Sequence, residues 1–544
     1  MVFNLLVDPF FPVVTKSGSK RWISFVELAQ TACDAPVEFD WPRPDFNIAS
    51  YEFCVGVLAV AFQPSNELWQ KLWNEPPSRS DLEAALRPLL SAFNLNGDGP
   101  RFMQDFEAFS TNDPNPVEAL LIDTPGFNGQ KKNADLLTHR ERYAQLGLPA
   151  AAMALYALQQ FAPSGGAGNR TSLRGGGPLT CLVLPSGEPE SLWRKILANL
   201  PLVDGLIELD GAALKRIFPW LAPTHFSDKA HGERELAMAD PAVHPLQAYF
   251  GMPRRIHLHL GEMQGPCGLT GHSGPLVTGY DQKPWGANYG LWVHPLTPYR
   301  RQKEADEPYS VKPKSDRFGY RDWMSISYGS EEGKLAMPAE NVKAITMRGS
   351  FLGRGAGARL RVGGWAMNNM EAGTFLLAET PLYLTADAAR WNEMAKVARK
   401  LAKAGDEGHS ILRQALRSAL FSDGAKTSTD AGLFETARTQ FYERTENTFH
   451  EILQIASSEE EPDISIHAPA WLKQLSTVVS RIFYEQVPAP AGDQKLGQRS
   501  AVAHGRMISA FKGYGASGKN LFTALEIPVP ESASKKPKAK EKKT

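Results

Sequence analysis

The 544 residues predict two or more domains, and a composition of 42% hydrophobic and 22% charged residues excludes an intrinsically disordered chain. Lysine plus arginine and aspartate plus glutamate each number 59, so the formal net charge is zero. Because a free-standing nucleic-acid-binding protein usually has a positive excess, any positive surface on this chain must be local.

The first residues predict neither a signal peptide nor a membrane helix. The opening "MVFNLLVDPFFPVV" has no basic region before its apolar residues, and it contains Asp8 and two prolines. No run approaches the roughly 18 apolar residues that a membrane helix needs. The cysteines Cys33, Cys54, Cys181 and Cys267 lie far apart in sequence and form no CxxC pair, which argues against a disulfide framework and a four-cysteine zinc site. These features favour a cytoplasmic protein with no membrane partner.

Residues 1–380 predict a large, irregular domain of mixed α and β structure. Short β-like runs ("LTCLVL", "GLIEL", "RRIHLHL", "ARLRVGGWAM" and "TFLLAETPLYL") alternate with helical stretches and Gly/Pro turns. His257 and His259 fall on one face of the predicted strand "RRIHLHL", where they could bind a metal. No HExxH motif, nucleophile elbow or carboxylate-rich motif accompanies them, so we interpret them as structural. Arg254 and Arg255 begin the same strand and are also interpreted as structural.

Residues 163–178 read "PSGGAGNRTSLRGGGP", with six glycines and two arginines in sixteen residues. The segment is not a Walker A loop, because no Gly-Lys-Ser/Thr follows at the required spacing, and it lacks GxGxxG. Glycine has no Cβ and permits positive φ, so this main chain can approach a ligand closely, with Arg170 and Arg174 as phosphate contacts. Taken alone, the segment is either a plain surface loop or a contact with nucleic acid or phosphate. A nucleotide-dependent hydrolase or transferase using this loop is the rival function.

From about residue 385 the sequence changes to amphipathic helices. The run "TADAARWNEMAKVARKLAKAG" begins with threonine at a helix N-cap position and ends with Gly405 at the C′ position. Two further runs carry apolar stripes at helical spacing, and a fourth spans about residues 498–525. We predict a four-helix bundle over residues 385–527 and a disordered, lysine-rich tail over 528–544 that either solubilises the chain or contacts nucleic acid. The stripe residues are Phe434, Ala437, Phe441, Thr445, Phe449, Ile452, Trp471, Leu475, Val478 and Ile482.

A set of motifs occurs in one order from the first strand into the helical region. They are "NLLVDPFFPV", "RFMQ", "PVEALL", "SLRGGGPLT", "GLWVHPLTPY", "GGWAMNN" and "ETARTQFYE". No single motif is specific, but over nearly the whole chain the ordered set resembles the CasA family, the large subunit of the type I-E CRISPR surveillance complex Cascade. The resemblance implies an α+β fold, with a large mixed N-terminal domain followed by a four-helix bundle.

The resemblance also implies a function without catalysis and without a cofactor. The family is a subunit of a complex assembled on CRISPR RNA with the other Cascade subunits. It recognises the protospacer-adjacent motif (PAM) of double-stranded DNA, promotes strand opening and R-loop formation, and helps to recruit the helicase–nuclease. Some members bind zinc through clustered cysteines, but this chain keeps only Cys267, with His272, which are too few ligands for a zinc site.

Two parts of the implied PAM reader are a glycine loop and a lysine. The loop corresponds to Gly166-Ala167-Gly168, with alanine where the family often has a third glycine. The lysine, a short distance before "GLW", corresponds to Lys283. Its ammonium would lie among minor-groove acceptors, whose degenerate pattern makes recognition tolerant of several motifs.

The third implied part is a hairpin wedge after the "GGW" motif, inserted beneath the first base pair. In "GGWAMNNMEAG" the wedge includes Asn368, and either Asn369 or, with a one-residue insertion, Met370 takes the place of the family's glutamine. Without the resemblance, the two asparagines between β-like runs are a common hairpin turn.

Two further groups of residues complete the implied nucleic-acid contacts. The loop "NADLLTHRERY" lies where the family contacts the 5′ handle of the CRISPR RNA and neighbouring subunits. Its residues are Leu136, Leu137, Thr138 and His139. Basic residues of the first bundle helix could contact phosphates of displaced or flanking DNA, or could form a solvated face. They are Arg399 and Lys400, with Arg390, Lys396 and Lys403.

Overall fold

The computed structural model describes residues 2–31, 34–126, 131, 133, 135, 142–166, 168–186, 191–203, 205–232, 234–290, 292–314, 317–330, 335–348, 357–368, 370–385, 388–422, 432–489 and 492–530. The chain divides into two compact units. The first comprises Met1–Phe318 and Ser325–Leu384, and the second comprises Gly319–Met324 and Thr385–Thr544. Among the described residues, every strand lies in the first unit. The predicted α+β class with a helical C-terminal region is confirmed.

Short sheets form the β part of the first unit. The strands are Phe11–Thr15 (β1), Lys20–Ile23 (β2), Pro36–Phe39 (β3), Asn115–Pro116 (β4), Leu146–Gly147 (β5), Thr180–Pro185 (β6), Glu235–Leu236 (β7), Arg255–Pro266 (β8), Ser273–Lys283 (β9), Asn288–Tyr289 (β10), Tyr299–Arg300 (β11), Tyr309–Ser310 (β12), Ala336–Met337 (β13), Ala358–Asn368 (β14) and Glu371–Leu382 (β15). The sheet orders are β2-β1-β3, β10-β7, β12-β11-β13, β15-β14-β6 and β4-β9-β5, with β8 also paired to β9. Apart from the parallel pair of β7 and β10, these strands pair antiparallel.

The helices of the first unit are short except for two. They are Pro44–Phe62 (α1), Asn66–Asn74 (α2), Arg79–Leu86 (α3), Leu148–Phe161 (α4), Leu192–Leu197 (α5), Gly211–Ile217 (α6), Tyr320–Ser327 (α7), whose first residues belong to the second unit, and Glu340–Met347 (α8). Serine or aspartate side chains cap the N-termini of α2, α3, α5 and α6 by accepting a backbone hydrogen bond. Short 3-10 helices occupy Phe25–Ala29, Arg87–Phe93, Val117–Leu120, Pro219–Leu221, Lys229–His231 and Pro245–Phe250.

Helix α1 is the core helix of the first unit. It is apolar around most of its circumference and mostly buried, and it packs against α4, which is also buried along its length. Phe53, in the middle of α1, contacts aromatic rings from several segments that are distant in sequence. These rings belong to Phe10, Phe11, Phe25, Phe93, Phe102 and Tyr156.

Helix α1 also corrects the expectation that no run is apolar enough to cross a membrane. It is 19 residues long, and an 18-residue window within it has a mean hydropathy of 1.3, which meets the length and composition criteria for a membrane-spanning helix. In the structure 83% of this stretch is buried within the protein. Core packing therefore accounts for the apolar composition of α1.

Three predicted strands form one sheet, whereas a fourth is wrong. "LTCLVL", "ARLRVGGWAM" and "TFLLAETPLYL" correspond to β6, β14 and β15. The run "GLIEL" forms no strand in its described residues, because the side-chain amide of Gln63 takes the place of a neighbouring strand. Ile207 N donates to Gln63 Oε1 (2.7 Å), and Gln63 Nε2 donates to Ile207 O (2.9 Å).

The second unit is helical. Its helices, besides the start of α7, are Ala388–Leu420 (α9), Gly432–Ser458 (α10), Ile464–Gln486 (α11), Gln494–Ala510 (α12) and Gly515–Ala524 (α13). Helix α9 packs against each of the other four. Every apolar-stripe residue predicted on the second and third helices is buried. The predicted fourth run forms two helices, α12 and α13, separated by a turn in which Gly513 has a φ of +85°.

Helix α9 runs through Gly405, so the predicted helix end at this glycine is wrong. A Cβ on Gly405 would lie 2.5 Å from the hydroxyl oxygen of Tyr320. The glycine therefore permits close packing of Tyr320 and does not end the helix. The Tyr320 ring stacks on Phe449 with centroids 4.3 Å apart.

Candidate nucleic-acid interface

The glycine segment, residues 163–178, follows α4 and ends just before β6. Four of its glycines have positive φ: +90° at Gly166, +80° at Gly168, +77° at Gly175 and +61° at Gly177. Residues with a Cβ rarely adopt these conformations, which explains part of the glycine content. The two halves of the segment have different surroundings.

The first half, residues 163–170, is the glycine loop. Gly165 N donates to Asn169 O (3.2 Å), and Asn169 N donates to Gly166 O (3.1 Å). The Asn169 side chain donates to Gly165 O (2.9 Å). Gly166 is exposed, and a Cβ placed there would meet no atom of the described residues within 4 Å. The loop is therefore held in shape while it presents bare main chain at the surface.

The glycine loop packs directly against the end of β9, where Lys283 lies. Gly168 O accepts a hydrogen bond from Trp285 N (2.8 Å). Gln282 Nε2 donates to Asn169 Oδ1 (2.6 Å), although these residues are 113 positions apart in sequence. A Cβ on Gly168 would lie 2.5 Å from the Cβ of the proline that follows Lys283, so glycine is needed for this approach. The structure thus brings together two of the predicted PAM-reading parts.

Lys283 carries a positive charge that no carboxylate neutralises among the described residues. Its side chain is half-buried, and Nζ lies 4.7 Å from the ring centroid of Phe109, within cation–π range. Across the ladder it faces Arg255, which is paired with Asp105 through Nε at 2.5 Å. Of the two neighbouring cations, Lys283 is thus the one available to an anionic or electronegative ligand.

The stretch that carries Phe109 is anchored to β9 through Asp281. Thr111 donates to Asp281 Oδ1 from its backbone N (2.9 Å) and from its hydroxyl (2.5 Å). The hydrogen bond from the Thr111 side chain and the His259 ring at 2.6 Å hold the pKa of Asp281 down to about 2, against the opposing effect of burial. Asp281 is therefore ionised at neutral pH and holds this stretch beside Lys283.

His257 and His259 are both half-buried on one face of β8, as predicted, but each has a separate partner. His257 Nε2 lies 3.1 Å from Asp105 O, and burial lowers the pKa of this histidine. His259 pairs with Asp281. In the described part of the chain, no three His, Cys, Asp or Glu side chains group as metal ligands would. The structural interpretation of this pair is therefore supported.

The second half of the glycine segment is turned into the core, and Arg174 is not a phosphate contact. Arg174 Nη2 pairs with Glu52 Oε1 of α1 at 2.6 Å, and neither side chain has any exposed surface. Burial raises the pKa of Glu52, but Arg174 and His294 more than offset it, so the pKa lies below its usual value. Burial and the Arg174 charge lower the pKa of His294 to about 4. At neutral pH the cluster is one ion pair beside a neutral histidine.

Arg170 lies at the surface side of the loop, with its guanidinium partly engaged. Its Nε donates to Ser227 Oγ (2.9 Å), and its Nη2 donates to Ser227 O (2.8 Å). The guanidinium stacks over the Trp285 ring at 5.2 Å. Arg170 is half-buried and so keeps part of its surface beside the loop.

The predicted wedge corresponds to the tip of the hairpin formed by β14 and β15. Asn368 pairs with Glu371 at the end of the ladder, and both Asn368 and Met370 are exposed, Met370 at 56%. Near the base of the tip, a Cβ on Gly177 would collide with Trp365 O. The second half of the glycine segment thus packs under the same hairpin.

Some predicted residues lie outside the described residues, and others have structural partners. Outside the described residues lie Ala167, Asn369, Leu136, Leu137, Thr138 and His139. On α9, Lys400 pairs with Glu526 at 2.8 Å, and Arg399 is half-buried. Cys267 is buried as a free thiol, and the ring of His272 packs against Trp22 with centroids 5.1 Å apart.

Sequence reasoning missed Phe109 and Glu52, which contact Lys283 and Arg174 respectively. Phe109 lies in a stretch without strand or helix periodicity. Glu52 lies within an apolar helix, where a lone carboxylate among buried residues is itself a signal of a buried partner. Neither partner could be identified without long-range contacts.

Comparisons with known proteins agree on one family. The model of the CRISPR-associated protein Cse1 family matches residues 4–482. Cse1 of Thermobifida fusca is 17% identical, with a TM-score of 0.68 over 96% of this chain and 98% of that one. CasA of Thermus thermophilus is 15% identical, with a TM-score of 0.66 over 94% of this chain and 100% of that one. A chain of a CRISPR RNA-guided surveillance complex is 14% identical, with a TM-score of 0.65 over 93% of this chain and 99% of that one.

Proposed function

Because this chain belongs to the Cse1 family and is the large subunit of a type I-E Cascade surveillance complex, we propose that it reads the PAM of double-stranded DNA through the glycine loop and Lys283. The proposal includes strand opening by the hairpin tip and recruitment of the helicase–nuclease. It assigns no catalytic step to this chain. The CRISPR RNA and the other Cascade subunits would be its standing partners.

The contact between the glycine loop and the end of β9 carries the proposal. It places the exposed main chain of Gly166 and the ammonium of Lys283, which has no carboxylate partner among the described residues, on two adjoining segments. The minor groove offers only acceptors on A·T pairs and adds one donor on G·C pairs. Bare peptide groups can approach those base edges, and one lysine ammonium can donate to several acceptors. Such a reader fits a short motif with some tolerance.

The rival function, nucleotide hydrolysis or transfer at the glycine loop, has the wrong order of elements. A phosphate-binding loop of the P-loop type follows a strand and opens a helix, whose N-terminal N–H groups bind the phosphates. Here the glycine segment follows helix α4 and precedes strand β6. One of its two arginines, Arg174, is also fully used in the core. The arrangement therefore favours binding over phosphate chemistry.

A Lys283→Ala variant tests the PAM reader. We expect Cascade reconstituted with this variant and CRISPR RNA to assemble normally. Its affinity for a duplex carrying the preferred PAM, selected from a randomised library, should fall about tenfold. Affinity for a duplex without a PAM should change little, because one surface phosphate contact at most is lost. Electrophoretic shifts with both duplexes measure the two affinities.

The matched control is Lys314→Ala, which removes an exposed lysine elsewhere in the first unit. A bulky residue at Gly168 should reproduce the Lys283 effect, because its side chain would push the loop away from β9. Equal affinities of wild-type and Lys283→Ala complexes for the PAM duplex would refute the proposal.

The hairpin tip should act after PAM contact. We expect Met370→Ala or Asn369→Ala to slow strand opening while initial PAM binding is retained, because a smaller side chain cannot hold the first base pair apart. Permanganate reactivity of thymines next to the PAM measures opening, and the more affected variant identifies the wedge residue. Normal opening kinetics in both variants would exclude this role.

A further inference from the structure

A buried arginine lies directly beneath the glycine loop and joins its two ends. Arg254 Nη2 donates to Pro163 O (2.6 Å), and Arg254 Nε donates to Arg170 O (2.9 Å). These carbonyls belong to the first and last residues of the loop. Arg254 is only 8% exposed. One planar guanidinium thus fixes the width of the loop at its base.

Arg254 has no carboxylate partner within ion-pair distance among the described residues, unlike the buried Arg174. Burial lowers the pKa of Arg254 to about 10, so it stays charged at neutral pH. A buried charge is costly unless hydrogen bonds or a counter-charge satisfy it. Here loop carbonyls do so, and the loop conformation is therefore tied to the position of this one side chain.

The space between Arg254 and the loop leaves little room for a side chain. A Cβ on Gly165 would lie 3.1 Å from Nη1 and 3.3 Å from Nη2 of Arg254, and 3.0 Å from the Cβ of Asn169 within the loop. Glycine at this position lets the guanidinium lie against the loop main chain. Gly165 and Gly166 are both exposed, but of the two only Gly166 is surrounded by open space among the described residues.

The backbone of Arg254 is fixed as firmly as its side chain. Its N donates to Gln159 Oε1 (3.0 Å), and its O accepts from Gln159 Nε2 (2.9 Å), which fastens it to α4. The next residue, Arg255, begins β8 and lies opposite Lys283 in the ladder with β9. A displacement of Arg254 would therefore change the spacing between the loop and Lys283.

We infer that Arg254 is a positioning residue for PAM recognition: it sets the width of the glycine loop and the distance of the loop from Lys283. This inference rests on the proposed function of the loop. Arginine is required because the separate N–H groups of its planar guanidinium can donate to two carbonyls at once, whereas the ammonium of lysine is a single compact donor. Charge alone is not the property that matters.

Arg254→Lys separates the two properties, because it keeps the positive charge and removes the fork. In reconstituted Cascade we expect the ratio of affinities for duplexes with and without the PAM to fall about tenfold. The affinity for the duplex without a PAM, and its dependence on salt concentration, should stay unchanged because the charge is kept. Arg359→Lys is the control, since that arginine pairs with Glu379 at the exposed surface. Size-exclusion chromatography of the complex checks assembly.

A second variant covers the case in which Arg254→Lys does not assemble. Gly165→Ala keeps Arg254 but crowds its guanidinium, and we expect a several-fold loss of PAM discrimination. An assembled Arg254→Lys complex with full discrimination would overturn the inference, and so would full discrimination in Gly165→Ala if the first variant fails to assemble. The Lys283→Ala variant distinguishes the positioning role of Arg254 from the proposed PAM-reading function. If it abolishes discrimination while both Arg254→Lys and Gly165→Ala retain it, only the positioning role is wrong.

Discussion

The two halves of the glycine segment have nearly the same composition and opposite environments. Each half has three glycines and one arginine. In residues 163–170, Gly166 is exposed and Arg170 lies half-buried beside Trp285. In residues 171–178, the arginine is Arg174, paired with Glu52 in the core, and Gly177 packs under the β14–β15 hairpin.

The comparison teaches that glycine serves two purposes in this segment. In the first half, the absence of a Cβ leaves the main chain accessible to a ligand. In the second half, it lets main chain pack against main chain, as Gly176 does against Pro163 and Gly177 against Trp365. Composition reports only that side chains are missing. The neighbouring residues determine whether the space left by the missing side chain is open to a ligand or filled by the protein core.

The second half also fixes the first in place. Arg174 joins the segment to α1 through Glu52 and to Thr180 and Thr297 through Nη1, at 3.2 and 3.0 Å. Ser310 Oγ donates to Arg174 O (2.6 Å). A loop that reads base edges must be held rigidly, because small displacements change which hydrogen bonds form. The buried half supplies that rigidity from one side, and Arg254 supplies it from the other.

The largest expected effect on stability is the difference between variants of the two arginines of the segment, Arg174 and Arg170. Arg174→Met should lower the free energy of unfolding by about 4 kcal/mol, because it leaves the Glu52 carboxylate buried without its partner. The control Arg170→Met should lower it by no more than about 1 kcal/mol, since that side chain is partly exposed and pairs with no buried carboxylate of the described residues. Chemical denaturation of the full-length chain measures both. Equal losses of stability in the two variants would contradict the division of the segment into an exposed first half and a buried second half.

A double variant sharpens this test. Glu52→Leu combined with Arg174→Met removes both charges, so the remaining loss should be well below that of Arg174→Met alone. A double variant as unstable as the single one would show that Arg174 acts through its other hydrogen bonds.

The parts of the fold that could be predicted from sequence are those set by local patterns. The apolar stripe from Phe434 to Ile452 is buried on α10 as predicted, because helical periodicity places those side chains on one face. The strands β6, β14 and β15 were recognisable because β-branched and apolar residues dominate them. The glycine segment stands out by its composition, but its PAM-reading role, and Lys283 altogether, were identified only through the resemblance to a family. Their residue types alone favoured a plain surface loop and a solvated lysine.

The parts that sequence could not give depend on long-range contacts. The sequence around Gly405 predicts a helix end, but Tyr320 packs against this glycine and helix α9 continues through it. Arg174 lies in a glycine-rich segment of the kind that contacts phosphate, but it forms a buried ion pair with Glu52 on α1. Arg254 has the position of an ordinary strand start, and its role depends on two carbonyls about ninety residues earlier. In each case the deciding partner is distant in sequence.

The glycines give a second test of the comparison, with a smaller expected effect. Gly177→Ala should lower the free energy of unfolding by roughly 3 kcal/mol, because its Cβ would collide with Trp365 O in a backbone conformation that already disfavours alanine. Gly166→Ala also places alanine at a positive φ but in open space, so the loss should be about 1 kcal/mol. In reconstituted Cascade the order should reverse: Gly166→Ala, if stable, should weaken PAM-dependent binding although the core is intact. Thermal unfolding and electrophoretic shifts on the same preparations measure both quantities. Gly166→Ala could instead be the less stable variant and bind the PAM duplex normally. That result would show that the first half serves packing, as the second half does, and that the loop does not contact DNA.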